Sequence, residues 1–368
     1  MSALSELAVL SKSQPFPVPP SSYPLPVDPD MLAVLMPTPR PGAVAAILLD
    51  DTLRLVQLGD TGASLTKVAK NYIPMVSAGN LEGVSPAVLP DTCAYLQSRS
   101  LILYNLAQKQ PQLFMVTHSL DESATWGRWL SVEPRRLAVQ FRDMTNYLDT
   151  DTVQFRLRVL DVTGPEAKKL GELDLGTSGD FEWDAGNGVL VLWQGQQVRA
   201  YGPDLVAPIE HPLLAALGGL LSASLLLDEL RLHPTRPLAV FTVRGNDPTG
   251  KDACSLWRAT WAEGEAKLVP LAGYSSLESV RLGEFAPEGG WLAYSSTSKS
   301  LTRFYVQQVE ATPGPPFALG SVENVDLLCW TRAPLALAAL APDTQTVTRW
   351  NFGRLPAAKG ADAKTPTK

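Results

Sequence analysis

Seven segments of the chain alternate apolar with polar side chains: TLRLVQL (52–58), SLILYNL (100–106), VQFRLRVLDV (153–162), QQVRAYG (196–202), ACSLWRATW (253–261), TRFYVQQV (302–309) and TVTRWNF (346–352). Val, Leu, Tyr and Trp on one face with Arg, Gln or Thr on the other is the pattern of a half-buried antiparallel strand. Each segment follows the same unit, an extended run, a turn and a second short strand. The turn falls at Pro37, Pro90, Pro134, Pro234, Pro287 and Pro334, and in the middle unit, DFEWDAGNGVLVLW, at Asp184 to Gly188. Successive proline markers lie 53, 44, 100 (across two units), 53 and 47 residues apart. A period close to 50 in strand-forming sequence is that of four-stranded propeller blades and excludes helical solenoids.

Weaker fourth strands follow at SLTKVAK, PQLFMVTH, AKKLGELDLG, LVAPIEH, AKLVPLA and PFALGSV, and the seventh unit lacks one. The segment Leu4–Lys12, LSELAVLSK, alternates suitably and is expected to close the last blade, leaving no long unpaired edge. The expected architecture is all-β, a single seven-bladed β-propeller of four-stranded antiparallel blades. Residues 1–30 form the closing strand and a Pro-rich linker, 31–355 the propeller, and 356–368 a polar tail without apolar periodicity.

EFAPEGGWLAYSS, from Glu284 to Ser296, resembles the signature of WD40-like and TolB-like propeller repeats, in which a turn after Pro separates the two inner strands of a blade. ELRLHPTRPLAVFT matches more loosely, and the chain does not repeat the Gly-His and Trp-Asp dipeptides of WD40 repeats. The resemblance implies a platform for binding proteins. One such scaffold hosts many functions, so the fold alone assigns none.

One segment breaks the strand pattern. In HPLLAALGGLL (211–221), Leu213, Leu214, Leu217, Leu220 and Leu221 share one helical stripe, which either packs on the propeller or docks a partner. Two hairpins between second and third strands are long and should project from one rim. Arg142–Asp151 carries Tyr147 and Asp149, and Arg244–Lys251 carries Asn246 and Asp247; these four join the leucines as partner-binding candidates. Trp126, beside Gly127 and outside a clear strand, is the tryptophan expected to be most exposed, whereas Trp129, Trp183, Trp193, Trp257 and Trp261 read as blade core.

Composition narrows the function classes. The 31 basic and 37 acidic residues are scattered, without the basic run that follows a nucleic-acid backbone. The longest uncharged apolar run, Pro212–Leu227, is too short to span a bilayer, and the first residues lack the basic start of a secretory signal, so a cytoplasmic protein is expected. Cys93, Cys254 and Cys329 stand far apart in apolar runs and read as reduced core residues. His118, His211 and His233 have no metal-ligand spacing, the acidic loop lacks the glycine of a calcium loop, and no G-x-S-x-G elbow is present. No catalytic, cofactor or metal residue is therefore assigned. The expectation is a noncatalytic interaction scaffold in a bacterial multi-protein complex, with partner proteins and neither nucleic acid nor membrane. The alternative is a ligand- or metal-binding, even hydrolytic, propeller with its site at the central channel, drawing on Glu133, Glu182, Asp184, Glu229, Glu284 and Asp326.

Overall fold

The computed structural model describes residues 13–24, 32–37, 42–48, 52–59, 62–70, 81–83, 92–97, 99–145, 152–221, 225–246, 252–262, 264–275, 278–298, 301–309, 315–323, 327–331, 335–341 and 346–352. Among these, strands form seven sheets, and the one helix is Pro212–Leu220. Within each sheet, consecutive strands pair antiparallel, so a meander of about 50 residues is the repeating unit. The first sheet comprises Leu32–Pro37, Ala43–Leu48, Thr52–Leu58 and Ala63–Lys70, and the second Leu81–Gly83, Thr92–Gln97, Ser100–Asn105 and Gln110–Met115. Glu122–Val132, Arg135–Asp143, Gln154–Asp161 and Lys168–Gly176 make the third, and Asp180–Asp184, Val189–Gln194, Gln197–Tyr201 and Pro208–Ile209 the fourth. After the helix come Leu225–Leu232, Leu238–Asn246, Asp252–Ala262 and Glu265–Ser275, then Glu278–Phe285, Trp291–Ser298, Leu301–Gln308 and Phe317–Glu323. The seventh sheet is Leu327–Thr331, Ala336–Ala341 and Thr346–Asn351. The alternating segments found in the sequence are the third strands of these sheets.

The first strand of each sheet lies beside the first strand of the next, and that of the seventh beside that of the first. Side chains interdigitate between successive sheets, as the alternation requires. Phe141, Val139 and Trp129 of the third sheet bury against Leu101 and Phe114 of the second, and Phe181 and Leu190 of the fourth against Leu157 and Val159 of the third. Burying each such large side chain contributes about 1.5–3 kcal/mol. Polar atoms at these faces bond to the neighbouring sheet's backbone. Trp330 Nε1 donates to the Glu284 carbonyl at 2.8 Å, Trp350 Nε1 to Leu319 at 3.0 Å, and Gln140 Nε2 to Gly179 at 2.6 Å. Arg349, 4 % exposed, donates from the seventh sheet to the Gly59 carbonyl beside the first, at 3.0 Å.

The N-terminal segment corrects one expectation. Ser21–Pro24 pairs antiparallel with Thr346–Asn351 and supplies the missing outer strand of the seventh sheet, while Gln14–Pro15 pairs parallel with the outer strand of the sixth. The stretch that reads as a Pro-rich linker is thus the edge-strand donor. Leu4–Lys12, expected in that place, and the tail from residue 356 lie outside the described residues. Prolines are tolerated because an outermost strand uses only one side of its backbone. Between the two short strands, Phe16 packs against Phe352 with ring centroids 4.9 Å apart and edge-on to Phe317 at 6.1 Å.

In the middle unit a hydrogen-bonded turn replaces the proline. Asp184 Oδ1 accepts from the Gly186 and Asn187 amides at 2.9 and 3.1 Å, and Gly188 closes the turn at φ 66°, where glycine carries no Cβ penalty.

Candidate functional site

Arginines on first strands are the feature that the sequence reading passed over. Arg128 lies in WGRWL, Arg231 in LRL and Arg281 in VRL, each a cation within an apolar run, which is the signal that could have found them. Together with Asp180, Glu182, Glu229 and Glu284 they form a charged cluster on the first strands of the third to sixth sheets. Arg128 is its centre. One terminal nitrogen pairs with Glu182 of the adjacent sheet and the other with Glu284 of the sixth sheet at 2.9 Å, so one guanidinium joins three sheets. Its guanidinium also lies over the Trp126 ring, with the guanidinium carbon 5.1 Å from the ring centroid. Arg231 reaches Glu182 at 3.8 Å and donates to the Leu282 carbonyl at 3.2 Å. Glu229 accepts from Arg281 at 2.9 Å and from the Leu282 amide at 2.5 Å, tying the fifth sheet to the sixth.

Two carboxylates sharing one guanidinium titrate apart. Burial pushes Glu182 up to about 7, with the Glu284 charge adding to it against the pull of Arg128 and Arg231. Burial also works to raise Glu284, but Arg128 and Arg231 outweigh it and hold that carboxyl below its ordinary value. The Glu284 side chain keeps 36 % of its surface open, whereas Glu182 keeps 2 %. Asp180 is raised by burial, with the Glu229 charge adding to the effect and Arg231 opposing it.

The remaining acids considered for the channel separate. Glu133 is exposed in the turn after the first strand of the third sheet, and Asp326 lies outside the described residues. Asp184 is buried and structural. Besides its turn bonds it meets His211 Nε2 at 2.9 Å, and His211 Nδ1 accepts from Leu213 N at 3.2 Å to cap the helix. An accepting Nδ1 makes Nε2 the protonated nitrogen, so it donates to Asp184. His233 Nδ1 accepts from the Thr235 and Arg236 amides at 3.1 and 3.0 Å, and His118 is exposed elsewhere. Among the described residues no three His, Cys, Asp or Glu side chains gather as a metal-binding group.

The leucine stripe turns inward. Leu213 and Leu217 are wholly buried with Trp193, Trp257 and Trp261, and Leu214, Leu220 and Leu221 pack partly buried on the same cluster. The apolar face is occupied by the sheets, which is the packing reading of the helix. Trp126 requires correction. It lies within the strand Glu122–Val132, half-buried and edge-on to Phe181 at 4.5 Å, because that strand begins seven residues before Trp129, where the sequence reading started it. Asn246 ends the second strand of the fifth sheet, and Tyr147, Asp149 and Asp247 lie outside the described residues. Of the expected acidic loop, Asp143 turns inward to Arg156 at 2.8 Å and accepts from Thr145 N at 2.9 Å.

Two clefts open between the second and third sheets. One, of about 430 Å³, holds buried Glu122, which accepts from both terminal nitrogens of Arg158 at 2.7 Å and from Thr117 Oγ1 at 2.5 Å. Its cations Arg156, Arg158 and Lys169 are paired with Glu122 and, beyond the lining, with Asp143 and Glu172. The other, of about 660 Å³, is lined by the amides and hydroxyls of Asn105, Gln108, Gln110, Gln112, Thr92 and Thr163 together with apolar side chains such as Leu103 and Val132.

No protein-family model matches the chain. No curated protein matches it either. Solved structures do match, and they define a β-propeller-like fold. The β-propeller domain of Cps50 (Swd1) from Myceliophteria thermophila is similar at 11 % identity and TM-score 0.55, over 90 % of this chain and 99 % of that one. An oligogalacturonate lyase in complex with manganese is similar at 10 % identity and TM-score 0.59, over 92 % and 97 %. YCF48 bound to D1 peptide is similar at 10 % identity and TM-score 0.52, over 93 % and 98 %. At such identities the likeness concerns the fold alone.

Proposed function

We propose that this protein is a noncatalytic seven-bladed β-propeller, closed by Ser21–Pro24 on its last blade, that holds partner proteins within a bacterial complex. One observation carries the noncatalytic reading. The acids best placed for chemistry at the centre, Glu182, Glu229 and Glu284, are each committed to an arginine of the fold, and Arg128 spans the third to the sixth sheet. Such groups join blades. Closure is supported by the pairing of Ser21–Pro24 and by Arg349 reaching the Gly59 carbonyl. The proposed setting is the cytoplasm, where the buried free thiol of Cys254 stays reduced. The test is affinity purification of the tagged chain from its native cells with stoichiometry measured by mass spectrometry. A stoichiometric protein partner retained by Glu284→Gln as by the wild type is the expected result; a chain that stays alone overturns it.

A ligand-binding channel is the second reading, favoured by the 36 % of the Glu284 side chain left open beside Arg128. The oligogalacturonate lyase, solved with manganese, makes that ion a reasonable probe. Calorimetric titration with manganese decides it: one-to-one binding lost in Glu284→Gln supports the channel site, and absence of heat rejects it.

A further inference from the structure

Outer strands of stacked sheets present unpaired backbone groups, and proteins guard them with charge, proline, bulges or brevity. Here the sixth and seventh sheets are covered by the chain's own Gln14–Pro15 and Ser21–Pro24. Three of the remaining outer strands carry charge: Lys67 and Lys70 in the first, Lys168, Lys169, Glu172 and Asp174 in the third, Glu265 and Lys267 in the fifth. The fourth is only Pro208–Ile209. Gln110–Met115, QPQLFM, differs from all of these. It carries no charge, runs over six residues, and exposes Leu113 (55 %) and Met115 (36 %) on one face.

Its backbone is set for addition. Val116 N donates inward to the Arg99 carbonyl at 2.8 Å, so by strand alternation Gln112 and Phe114 also turn their amides to the sheet. Leu113 and Met115 then direct N–H and C=O outward, and Pro111, which has no N–H, falls on that same outward side. Among the described residues no strand pairs with this side. On the face opposite Leu113 and Met115, Gln110 and Gln112 line the 660 Å³ cleft beside the amides and hydroxyls of Asn105, Gln108, Thr92 and Thr163.

We propose that this edge takes an extended, uncharged segment of a partner protein, added as a fifth strand to the second sheet. The inference rests on the platform reading above and names where the partner sits. Alternate residues of the segment are apolar, against Leu113 and Met115, and carry hydroxyl or amide groups into the cleft. Charge argues for this occupant. The edge itself is neutral, the charges bordering the cleft, Glu133 and Arg135, cancel, and the two edges already covered hold the uncharged segments QP and SSYP. Backbone bonds supply affinity in such additions, and alternate side chains supply selectivity.

The probe is a fluorescein-labelled peptide of alternating Val and Thr, about six residues long, the span of an ordinary strand. Binding to the full chain is followed by anisotropy, beside an analogue N-methylated at alternate residues and one with Lys and Glu in place of Thr. Expected are saturable binding of the first peptide, loss by roughly tenfold or more in Leu113→Lys and in Met115→Lys, and loss of both analogues; tenfold corresponds to about 1.4 kcal/mol. Amide exchange at Leu113 and Met115 slows on binding. Both positions are exposed, so the variants fold, which the thermal midpoint verifies. Equal binding by the lysine variants, binding of the N-methylated analogue, or no binding at all overturns the proposal. So does a concentration-dependent dimer abolished by Leu113→Lys, which gives the edge to a second copy. If the wild type and Leu113→Lys retain the same cellular partner equally, the edge proposal falls and the platform stands; if neither retains a partner, the platform falls with it.

Discussion

At Arg128 one cation serves two acids, Glu182 buried and Glu284 partly open, and the consequence is a proton held near neutrality. Glu182, raised from 4.5 to about 7, gives stability that is fully present below pH 4.5 and lost as pH rises through 7. Glu284, Asp184 and Glu122 are held low and act in the opposite sense: their contributions are present above ordinary carboxylate values and lost on acidification. Glu182→Gln, which mimics the protonated acid, should therefore gain stability relative to the wild type between pH 5 and 8, by at most about 3 kcal/mol. Chemical denaturation across that range measures it, and a parallel pair of profiles would show that Glu182 ionises normally. In Glu284→Gln the same step should move to lower pH, because Arg128 then serves Glu182 alone. These acids were visible in the sequence as members of first strands. Their partners were not, because Arg128 and Glu284 are 156 residues apart and meet only once four meanders have stacked.

Single elements were read well where their own periodicity fixed them. The third strands and nearly all fourth strands stand where alternation put them, since both faces of those segments are set by local pattern. Strands whose place depends on distant chain were misread. SSYP has no apolar alternation and two flanking prolines in its neighbourhood, yet it is a strand because the edge at Thr346–Asn351 offers it backbone partners. Truncation separates the two N-terminal assignments. Removing residues 1–13 should leave the thermal midpoint nearly unchanged, whereas removing 1–24 should lower it by several degrees and promote association through the uncovered edge. Phe16→Ala alone should cost about 2–4 kcal/mol by denaturant unfolding, given its ring contacts with Phe352 and Phe317. The helix was legible as a leucine stripe, but its orientation followed from the tryptophans that receive it. Leu217→Ala should cost about 3 kcal/mol, and an unaltered stability would mean that the helix rests loosely on the sheets.

For the molecule as a whole, contacts between first strands run through all seven sheets and return to the first. In the closed propeller proposed above, each blade has two neighbours and no terminal blade can fray by itself. Unfolding should appear as one transition, with circular dichroism and tryptophan fluorescence coincident; two resolved steps would mark blades that come apart independently. The seam also sets the order of events during synthesis. Ser22 and Thr348 meet across 326 residues, so the N-terminal partner leaves the ribosome long before the strand it covers. At 5–20 residues per second that interval is roughly 15–65 s, during which the nascent chain carries a β-segment without its partner strand. A slow codon stretch ahead of Thr346–Asn351 would prolong that exposure, and chaperone demand should rise with it.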